Sequence, residues 1–279
     1  MKLSIASAAA LFASLTLGAA NYLDYKGAVL GQVIKEGVEL RILPIGDSIT
    51  VGWPSLDRNG YRLRLKELLS VSVQSSQLVL SESMPNFVTA NKVVFAGTTS
   101  SGNMSDPYYS GWVGMTIKYM TDNIYPALKQ RPNIILIHAG TNDMNPRPGI
   151  SQEGHEPAGA AIRLGNLIDK IVAICPDATV LVAQIVNTCD PDQRPQTMQF
   201  QKLIPGVVEK RRKAGRRVLA VNFATLGDSI LYRDCIHPST KGYHRMADYW
   251  YDFITQIPKE WISAPVGPDP VRSNGDQNI

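Results

Sequence analysis

A serine and a distant histidine–aspartate pair are the residues in this sequence best suited to chemistry. Ser48 follows an apolar run that ends at Ile45. A serine hydroxyl becomes a strong nucleophile when a histidine takes its proton and a carboxylate holds that histidine in one tautomer. Asp234 and His237 supply such a pair, because one tight turn could bring both side chains to the same side. The pattern predicts nucleophilic attack by Ser48 on a carbonyl, as in ester hydrolysis.

Each of these residues also has an ordinary structural explanation. A Ser or Asp between a strand and a helix commonly caps the helix, and for Ser48 taken alone this interpretation is favoured. Asp234 and His237 could equally be a turn aspartate and a surface histidine. The catalytic interpretation gains weight only because several separate segments point to the same chemistry.

Two further segments carry groups that could stabilise an oxyanion. Gly97 follows the second predicted strand, and the stretch Gly140-Thr141-Asn142-Asp143 follows the third. The tetrahedral intermediate of acyl transfer bears a negative oxygen, and losing one donor to it typically costs ~10²–10³ in rate. The Ser48 N–H, the Gly97 N–H and the Asn142 amide are the expected donors.

Short apolar runs rich in Val, Ile and Leu alternate with longer amphipathic segments. Such runs are typical of parallel strands buried on both faces, and the segments between them have apolar residues at helical spacing. We predict a single-domain α/β three-layer sandwich: a five-stranded parallel sheet with helices on both faces and a site beyond the strands' carboxyl ends. The predicted strands are 40–45, 92–96, 133–139, 179–186 and 217–223, and the predicted helices are 60–72, 112–125, 158–174, 197–213 and 240–257.

The two ends of the chain differ in composition from the rest. Residues 1–20 have an early lysine, a short apolar core and small residues at their end, which is the pattern of an export signal. A membrane anchor is disfavoured because that core is shorter than the ~20 residues of a spanning helix. We predict a signal peptide at 1–20, one folded domain at 21–258, a flexible C-terminal tail at 259–279, and secretion of the mature protein.

The charge of the chain disfavours some classes of partner. The formal net charge of +4 is small for 279 residues. The densest basic run, at 210–217, falls on a predicted helix and the turn after it, which indicates a solvated helix face. We expect no nucleic acid and no membrane as partner, and a monomer.

The cysteines and one sequon fit an exported protein. Cys175 and Cys189 flank the fourth predicted strand, so at ~3.3 Å per residue they lie too far apart for a disulfide unless the loop doubles back. Cys189 and Cys235 both belong at the carboxyl edge of the sheet. We predict a Cys189–Cys235 bridge, with Cys175 free, and Asn103 as a glycosylation acceptor in a eukaryotic host.

Other polar residues near the strand ends are predicted to have supporting roles. Asp47 and Asp143 are expected to tie their loops to neighbouring backbone N–H groups. His138 lies within a strand, where a satisfied core histidine is favoured, and His155 lacks the ligand spacing of a metal site on a rigid element. A second Gly-Asp-Ser-Ile string, at 227–230, has no second base beside it. We predict no cofactor and no catalytic metal.

Four blocks follow one another in a characteristic order: Gly46-Asp47-Ser48, Gly97, Gly140-Thr141-Asn142-Asp143 and Asp234-x-x-His237. This order resembles the SGNH hydrolases, also called GDSL esterases, over nearly the whole chain after residue 20. The resemblance implies that Ser48 is the nucleophile, with His237 as its base and Asp234 as the partner of that base. It implies Gly97 and Asn142 as oxyanion-hole donors, and a flavodoxin-like sheet with strand order 2-1-3-4-5.

A closer resemblance rests on further motifs: Asn59-Gly60-Tyr61-Arg62, Ser110-Gly111-Trp112, Asn142-Asp143-Met144-Asn145 and the stretch from Gly242-Tyr243 to Trp250-Tyr251. They are similar to those of the third carbohydrate-esterase family, mostly secreted enzymes that remove acetyl groups from xylan and related glycans. Two features depart from that family. Pro107-Tyr108-Tyr109 stands where Glu-Gly-His usually precedes Ser-Gly-Trp, and the loop from Met144 to Gly159 is longer.

The leading hypothesis is a secreted serine esterase that removes acetyl groups from plant cell-wall polysaccharide such as xylan. Its partners would be an acetylated glycan or a small ester. Because His237 must be neutral to accept a proton, activity should fall in acid. The alternatives are a lipid esterase or lysophospholipase on the same scaffold, which would need an apolar acyl groove, and a non-catalytic carbohydrate-binding protein, which the complete set of site residues disfavours.

Overall fold

A computed structural model describes residues 22–71 and 91–272 of the chain. The predicted signal peptide at 1–20 lies outside these residues. The strands in the described part are β1 (Leu40–Gly46), β2 (Val93–Phe95), β3 (Thr99–Ser100), β4 (Tyr108–Gly111), β5 (Ile134–His138), β6 (Thr179–Gln184) and β7 (Val218–Asn222). Five of them are parallel in the order β2-β1-β5-β6-β7. This is the predicted order 2-1-3-4-5, and the predicted fold class is confirmed.

Helices cover both faces of this sheet. They are α1 (Ser48–Val51), α2 (Arg62–Ser70), α3 (Ile117–Asn123), α4 (Tyr125–Leu128), α5 (Pro157–Ile174), α6 (Arg194–Lys213) and α7 (Thr240–Thr255). The helix predicted at 112–125 begins later, because Trp112 continues β4 by donating its N–H to the Gly46 carbonyl. No helix in the described ranges has the length and apolarity needed to cross a membrane.

Two apolar layers hold the sheet between the helices. Leu40 and Ile42 of β1 lie in a buried cluster with α2 and α7, whereas Leu43 and Ile45 lie in a second cluster with α3, α5 and α6. Neighbouring side chains on a strand point to opposite faces, so a strand buried on both sides is mostly apolar, as β1 is apart from Arg41. Burying each such side chain contributes about 1.5–3 kcal/mol. Because β1 also pairs with β2, β4 and β5, it is the centre of the sheet.

A short antiparallel hairpin of β3 and β4, which the sequence analysis does not predict, replaces β2 beside the carboxyl end of β1. β2 pairs with the residues Leu40 to Ile42, and β4 pairs with Ile45 and Gly46. Gly97 lies at the exchange with φ of 145°, and a Cβ there would be 2.1 Å from the Tyr109 carbonyl oxygen. Only glycine fits at this position.

The C-terminal segment packs onto the domain as far as it is described. The buried Arg41 donates hydrogen bonds to the carbonyls of Val266 and Gly267 and pairs with Asp269 at 2.9 Å. Arg272 stacks on the Tyr108 ring at 3.7 Å. Residues 259–272, which we predict as part of a flexible tail, are therefore attached to the folded domain. Arg41 and Tyr108 of the domain bind the carbonyls and charged side chains of this segment.

Gly97→Ala should destabilise the protein by about 2 kcal/mol or more, because the new Cβ meets backbone and the left-handed φ is strained. The melting temperature should fall by roughly 4–8 °C, as measured by circular dichroism. Gly149→Ala is the matched control, since a Cβ there meets nothing within 4 Å. Equal melting temperatures for the two variants would contradict the close packing at Gly97.

Candidate active site

Ser48 is the first residue of α1, directly after the turn that ends β1. The Asp47 side chain caps this helix by accepting the Ile49 N–H at 3.0 Å. Gly46 is required in the turn, because a Cβ there would be 2.2 Å from the His138 carbonyl oxygen. The Ser48 N–H belongs to the first helical turn, whose N–H groups lack intrahelical partners. The turn thus places a hydroxyl and a backbone donor together at the carboxyl edge of the sheet.

The structure brings Ser48, His237 and Asp234 into one hydrogen-bonded chain. Ser48 Oγ lies 2.8 Å from His237 Nε2, and His237 Nδ1 lies 2.8 Å from Asp234 Oδ2. Asp234 Oδ1 accepts the N–H groups of Ile236 and His237. Partial burial alone would raise the pKa of Asp234, but these hydrogen bonds hold it below its usual value. Asp234 is therefore ionised and fixes the imidazole with its proton on Nδ1.

A disulfide supports the loop that carries this pair. Cys189 and Cys235 are bridged across 46 positions of the sequence, as expected from their placement at the same edge. The Cys189 N–H and the Thr188 hydroxyl both donate to the Cys235 carbonyl, at 3.1 and 2.7 Å. Cys175 is free and buried. The loop after β6 and the loop before α7 therefore form one connected unit.

Gly97 does not offer a free donor to the site, contrary to our prediction. Its N–H donates to Gln130 Oε1 at 2.8 Å, and Gln130 Nε2 donates back to the Gly97 carbonyl at 3.0 Å. This paired amide contact occupies both backbone groups of the glycine. Gly97 serves the packing of β4 instead.

Gly111, at the end of β4, lies where we expect Gly97. It pairs with Gly46, and its ideal Cβ position is 3.4 Å from the Asp47 carbonyl oxygen. Its N–H makes a long contact of 3.3 Å with the Thr99 hydroxyl, which itself donates to the Tyr109 carbonyl at 2.9 Å. The sequence contains the signal, the Ser-Gly-Trp motif, but the hairpin that brings it beside β1 is not predictable from local pattern.

Asn142 follows β5, which pairs with β1 on the side away from β4. Its Nδ2 donates one hydrogen to the Met115 carbonyl at 3.0 Å, so the second amide hydrogen remains for a ligand. Next to it, the buried Asp143 accepts the Ile117 N–H and the Arg163 guanidinium, at 2.9 and 2.8 Å. Burial raises the pKa of Asp143, although both partners oppose this. As expected, Asp143 ties its loop to neighbouring backbone.

Arg163 also supports the loop from Met144 to Gly159. Its guanidinium donates to the carbonyls of Glu153 and Gly154, at 3.2 and 3.1 Å. One arginine thus links this loop to the turn that holds Asn142. In the described part of the chain, no group of three or more His, Cys, Asp or Glu side chains is arranged to hold a metal ion. His155 is therefore not part of such a group.

A buried arginine, Arg62, to which the sequence analysis assigns no role beyond its place in a motif, connects α1 with β4. Arg62 donates to the carbonyls of Thr50, Val51 and Ser101, and its guanidinium lies 4.2 Å above the Tyr109 ring. The positive charge at the carboxyl end of α1 is favourable for the helix dipole. Arg62 therefore fixes the nucleophile's helix against the strand that ends at Gly111.

The other residues considered in the sequence lie outside this arrangement. His138 is buried in β5, and burial lowers its pKa to about 4, so it is a neutral core histidine whose Nε2 accepts the Val186 N–H. The second Gly-Asp-Ser-Ile string forms a surface turn in which Asp228 pairs with Arg194. Asn103 is exposed, and its glycosylation stays a prediction.

The "GDSL-like Lipase/Acylhydrolase family" matches residues 45–245, which include all the residues of this site. The chain belongs to this family. It is accordingly a carboxylic ester hydrolase, as the order of its sequence blocks predicts.

Solved structures narrow the comparison. The "Clostridium thermocellum family 3 carbohydrate esterase" is 26% identical with a TM-score of 0.60, over 78% of this chain and 98% of that one. A family 3 carbohydrate esterase from Talaromyces cellulolyticus, 19% identical, shares the fold with a TM-score of 0.59 over 80% and 100%. The "Putative endoglucanase X" of Acetivibrio thermocellus is 27% identical over 132 residues, 46% of this chain. The chain spans about half of that relative, 52% of its length.

Asp47→Asn should stabilise the protein at neutral pH. Burial raises the pKa of Asp47 from 3.8 to about 6, against the Ile49 N–H and the Thr141 hydroxyl. Between these two pKa values the Asp47 carboxyl is ionised in the unfolded protein but protonated in the folded one, so the free energy of unfolding falls as pH rises. Above pH 6 the folded protein carries the full cost of the buried charge, on the order of 3 kcal/mol. Asparagine keeps the capping oxygen and removes the charge.

Urea denaturation should show the variant more stable than the parent at pH 7.5, with a much smaller gain at pH 4.5. Asp57→Asn is a control on the same edge, because the pKa of Asp57 is lowered and its charge is favourable when folded. A gain for Asp47→Asn that did not depend on pH would refute the buried-charge explanation.

Proposed function

We propose that this chain is a secreted serine esterase that removes acetyl groups from plant cell-wall polysaccharide such as xylan. The observation that carries the proposal is the unbroken chain of 2.8 Å contacts from Ser48 through His237 to Asp234. The similarity to a family 3 carbohydrate esterase supports the substrate class. The export pattern of residues 1–20 and the disulfide support secretion.

In the first step His237 Nε2 takes the proton of the Ser48 hydroxyl as Oγ attacks the ester carbonyl. The carbonyl oxygen becomes an oxyanion between the Ser48 N–H, the Asn142 amide and a glycine N–H. We assign that last role to Gly111 in place of Gly97, because its N–H makes only a long 3.3 Å contact and a hydrogen bond to an anion would be stronger. Arg62 joins the helix that begins at Ser48 to the strand that ends at Gly111.

In the second step the protonated His237 gives its proton to the departing alkoxide, and the acyl group stays on Ser48. Water then enters, loses a proton to the same Nε2 and adds to the acyl carbonyl. The bond between the acyl carbon and Ser48 Oγ breaks, the acid leaves, and Nε2 returns its proton to Oγ. Throughout, the ionised Asp234 stabilises the imidazolium without taking its proton. The low pKa of Asp234 suits this role.

Ser48→Ala should lower kcat on p-nitrophenyl acetate by roughly 10⁴-fold or more, because no nucleophile replaces the hydroxyl. The parent should hydrolyse p-nitrophenyl acetate and acetylated xylan, with little activity on the palmitate ester. A preference for palmitate would favour the lipid esterase instead. Unchanged hydrolysis by Ser48→Ala would remove the esterase claim for this site.

Asn142→Ala should lower kcat by about 10²–10³ with KM little changed, because an oxyanion donor acts in the transition state and not on the bound ester. Asn145→Ala is the matched control: it lies in the same turn, equally half-buried, and its amide contacts Gln193. Initial rates on p-nitrophenyl acetate measure both. Similar losses of kcat would show a structural effect of the turn.

A further inference from the structure

Two residues with exposed aromatic side chains are hydrogen-bonded through their backbone to the nucleophile and to the base. The Trp53 N–H donates to the Ser48 carbonyl at 3.0 Å, and the Tyr232 N–H donates to the His237 carbonyl at 2.7 Å. Trp53 is nevertheless 47% exposed and Tyr232 38% exposed. Aromatic rings this large are usually buried, so two of them left open beside one reacting centre call for an explanation.

The backbone beneath each ring is held firmly. The Trp53 carbonyl accepts the Tyr243 hydroxyl, and the Leu56 N–H contacts Thr240 at the start of α7, which keeps this loop beside the His237 segment. The Tyr232 carbonyl accepts the Cys235 N–H at 3.0 Å, within the loop that the disulfide pins. Both exposed rings are therefore carried by a firmly held backbone, which is a property of binding surfaces.

Each ring also has an arginine beside it. The Arg58 guanidinium lies 5.9 Å from the Trp53 ring centre, and that of Arg233 lies 5.3 Å from the Tyr232 ring centre. Neither arginine forms an ion pair with a carboxylate within residues 22–71 and 91–272. Their donors therefore remain available for hydroxyl groups at the edge of a ligand that covers the ring.

The chemistry of the reaction decides which part of the substrate meets these rings. His237 Nε2 must protonate the departing oxygen, so the leaving alcohol lies on the His237 side of Ser48. The acyl oxygen lies on the other side, towards Asn142. The Tyr232 backbone is hydrogen-bonded to His237, and the Trp53 carbonyl to Tyr243 of α7, so both residues lie on the His237 side, next to the alcohol portion of the ester.

We propose that Trp53 and Tyr232 form a leaving-group subsite that stacks the pyranose rings of a glycan ester. This rests on the proposed function and extends it to the residues that recognise the glycan. A sugar ring presents a flat apolar face of C–H groups and a polar rim, which match an aromatic face with an arginine at its edge.

The test compares acetylated xylo-oligosaccharide with triacetin, an acetyl ester that has no sugar ring. Trp53→Ala and Tyr232→Ala should each raise KM for the oligosaccharide roughly three- to tenfold, the effect of losing one stacked ring. Their kcat/KM on triacetin should stay within about twofold of the parent. Trp53→Phe, which keeps a ring, should restore part of the affinity.

Tyr125→Ala is the matched control, because Tyr125 is also 47% exposed with a cation, Lys129, 4.7 Å from its ring. It opens α4, ahead of the amino end of β5. If the parent hydrolyses triacetin but not the oligosaccharide, the proposed function fails and the subsite with it. If the parent hydrolyses both and the Trp53 and Tyr232 variants match Tyr125→Ala, or lose triacetin activity equally, the subsite alone is refuted.

Discussion

The contact between Ser48 and His237 depends on almost every other part of the structure. The two residues are 189 positions apart, and their side-chain atoms lie 2.8 Å from each other. A hydrogen bond tolerates only a few tenths of an ångström before it weakens. The fold must therefore place the end of the first strand and the last loop of the domain with that precision.

Buried polar groups on both sides provide this accuracy. Asp47 caps the helix that begins at Ser48, and Arg62 binds the carbonyls at the other end of that helix. Burial raises the pKa of Asp47 and lowers that of Arg62, which indicates that both charges cost free energy in the folded protein. A hydrophobic pair would be cheaper, but it could not orient a one-turn helix. Stability is given up where the reacting hydroxyl must be positioned.

The sequence predicts the parts of this arrangement that depend on local composition. The strands are recognisable because their residues are apolar on both faces, and the Asp234–His237 pair because both lie in one turn. Gly97 and Gly111 could not be told apart, because their roles depend on a hairpin that brings β4 across β2 to the end of β1. Arg62 resembles any helix-surface arginine in sequence, and only the tertiary contacts show that it is buried. The packing of residues 259–272 has the same cause, since their partners are distant in sequence.

The loop after β6 holds the base and the oxyanion donor in fixed positions relative to each other. At one end Cys189 is bonded to Cys235, next to the base. At the other end the Gln193 amide donates to the Thr141 carbonyl at 2.9 Å, next to Asn142. A displacement of this loop would move both groups together relative to Ser48. The proton acceptor and the oxyanion donor therefore share one support, and the nucleophile has another, so the geometry of the reaction reduces to the distance between two rigid units.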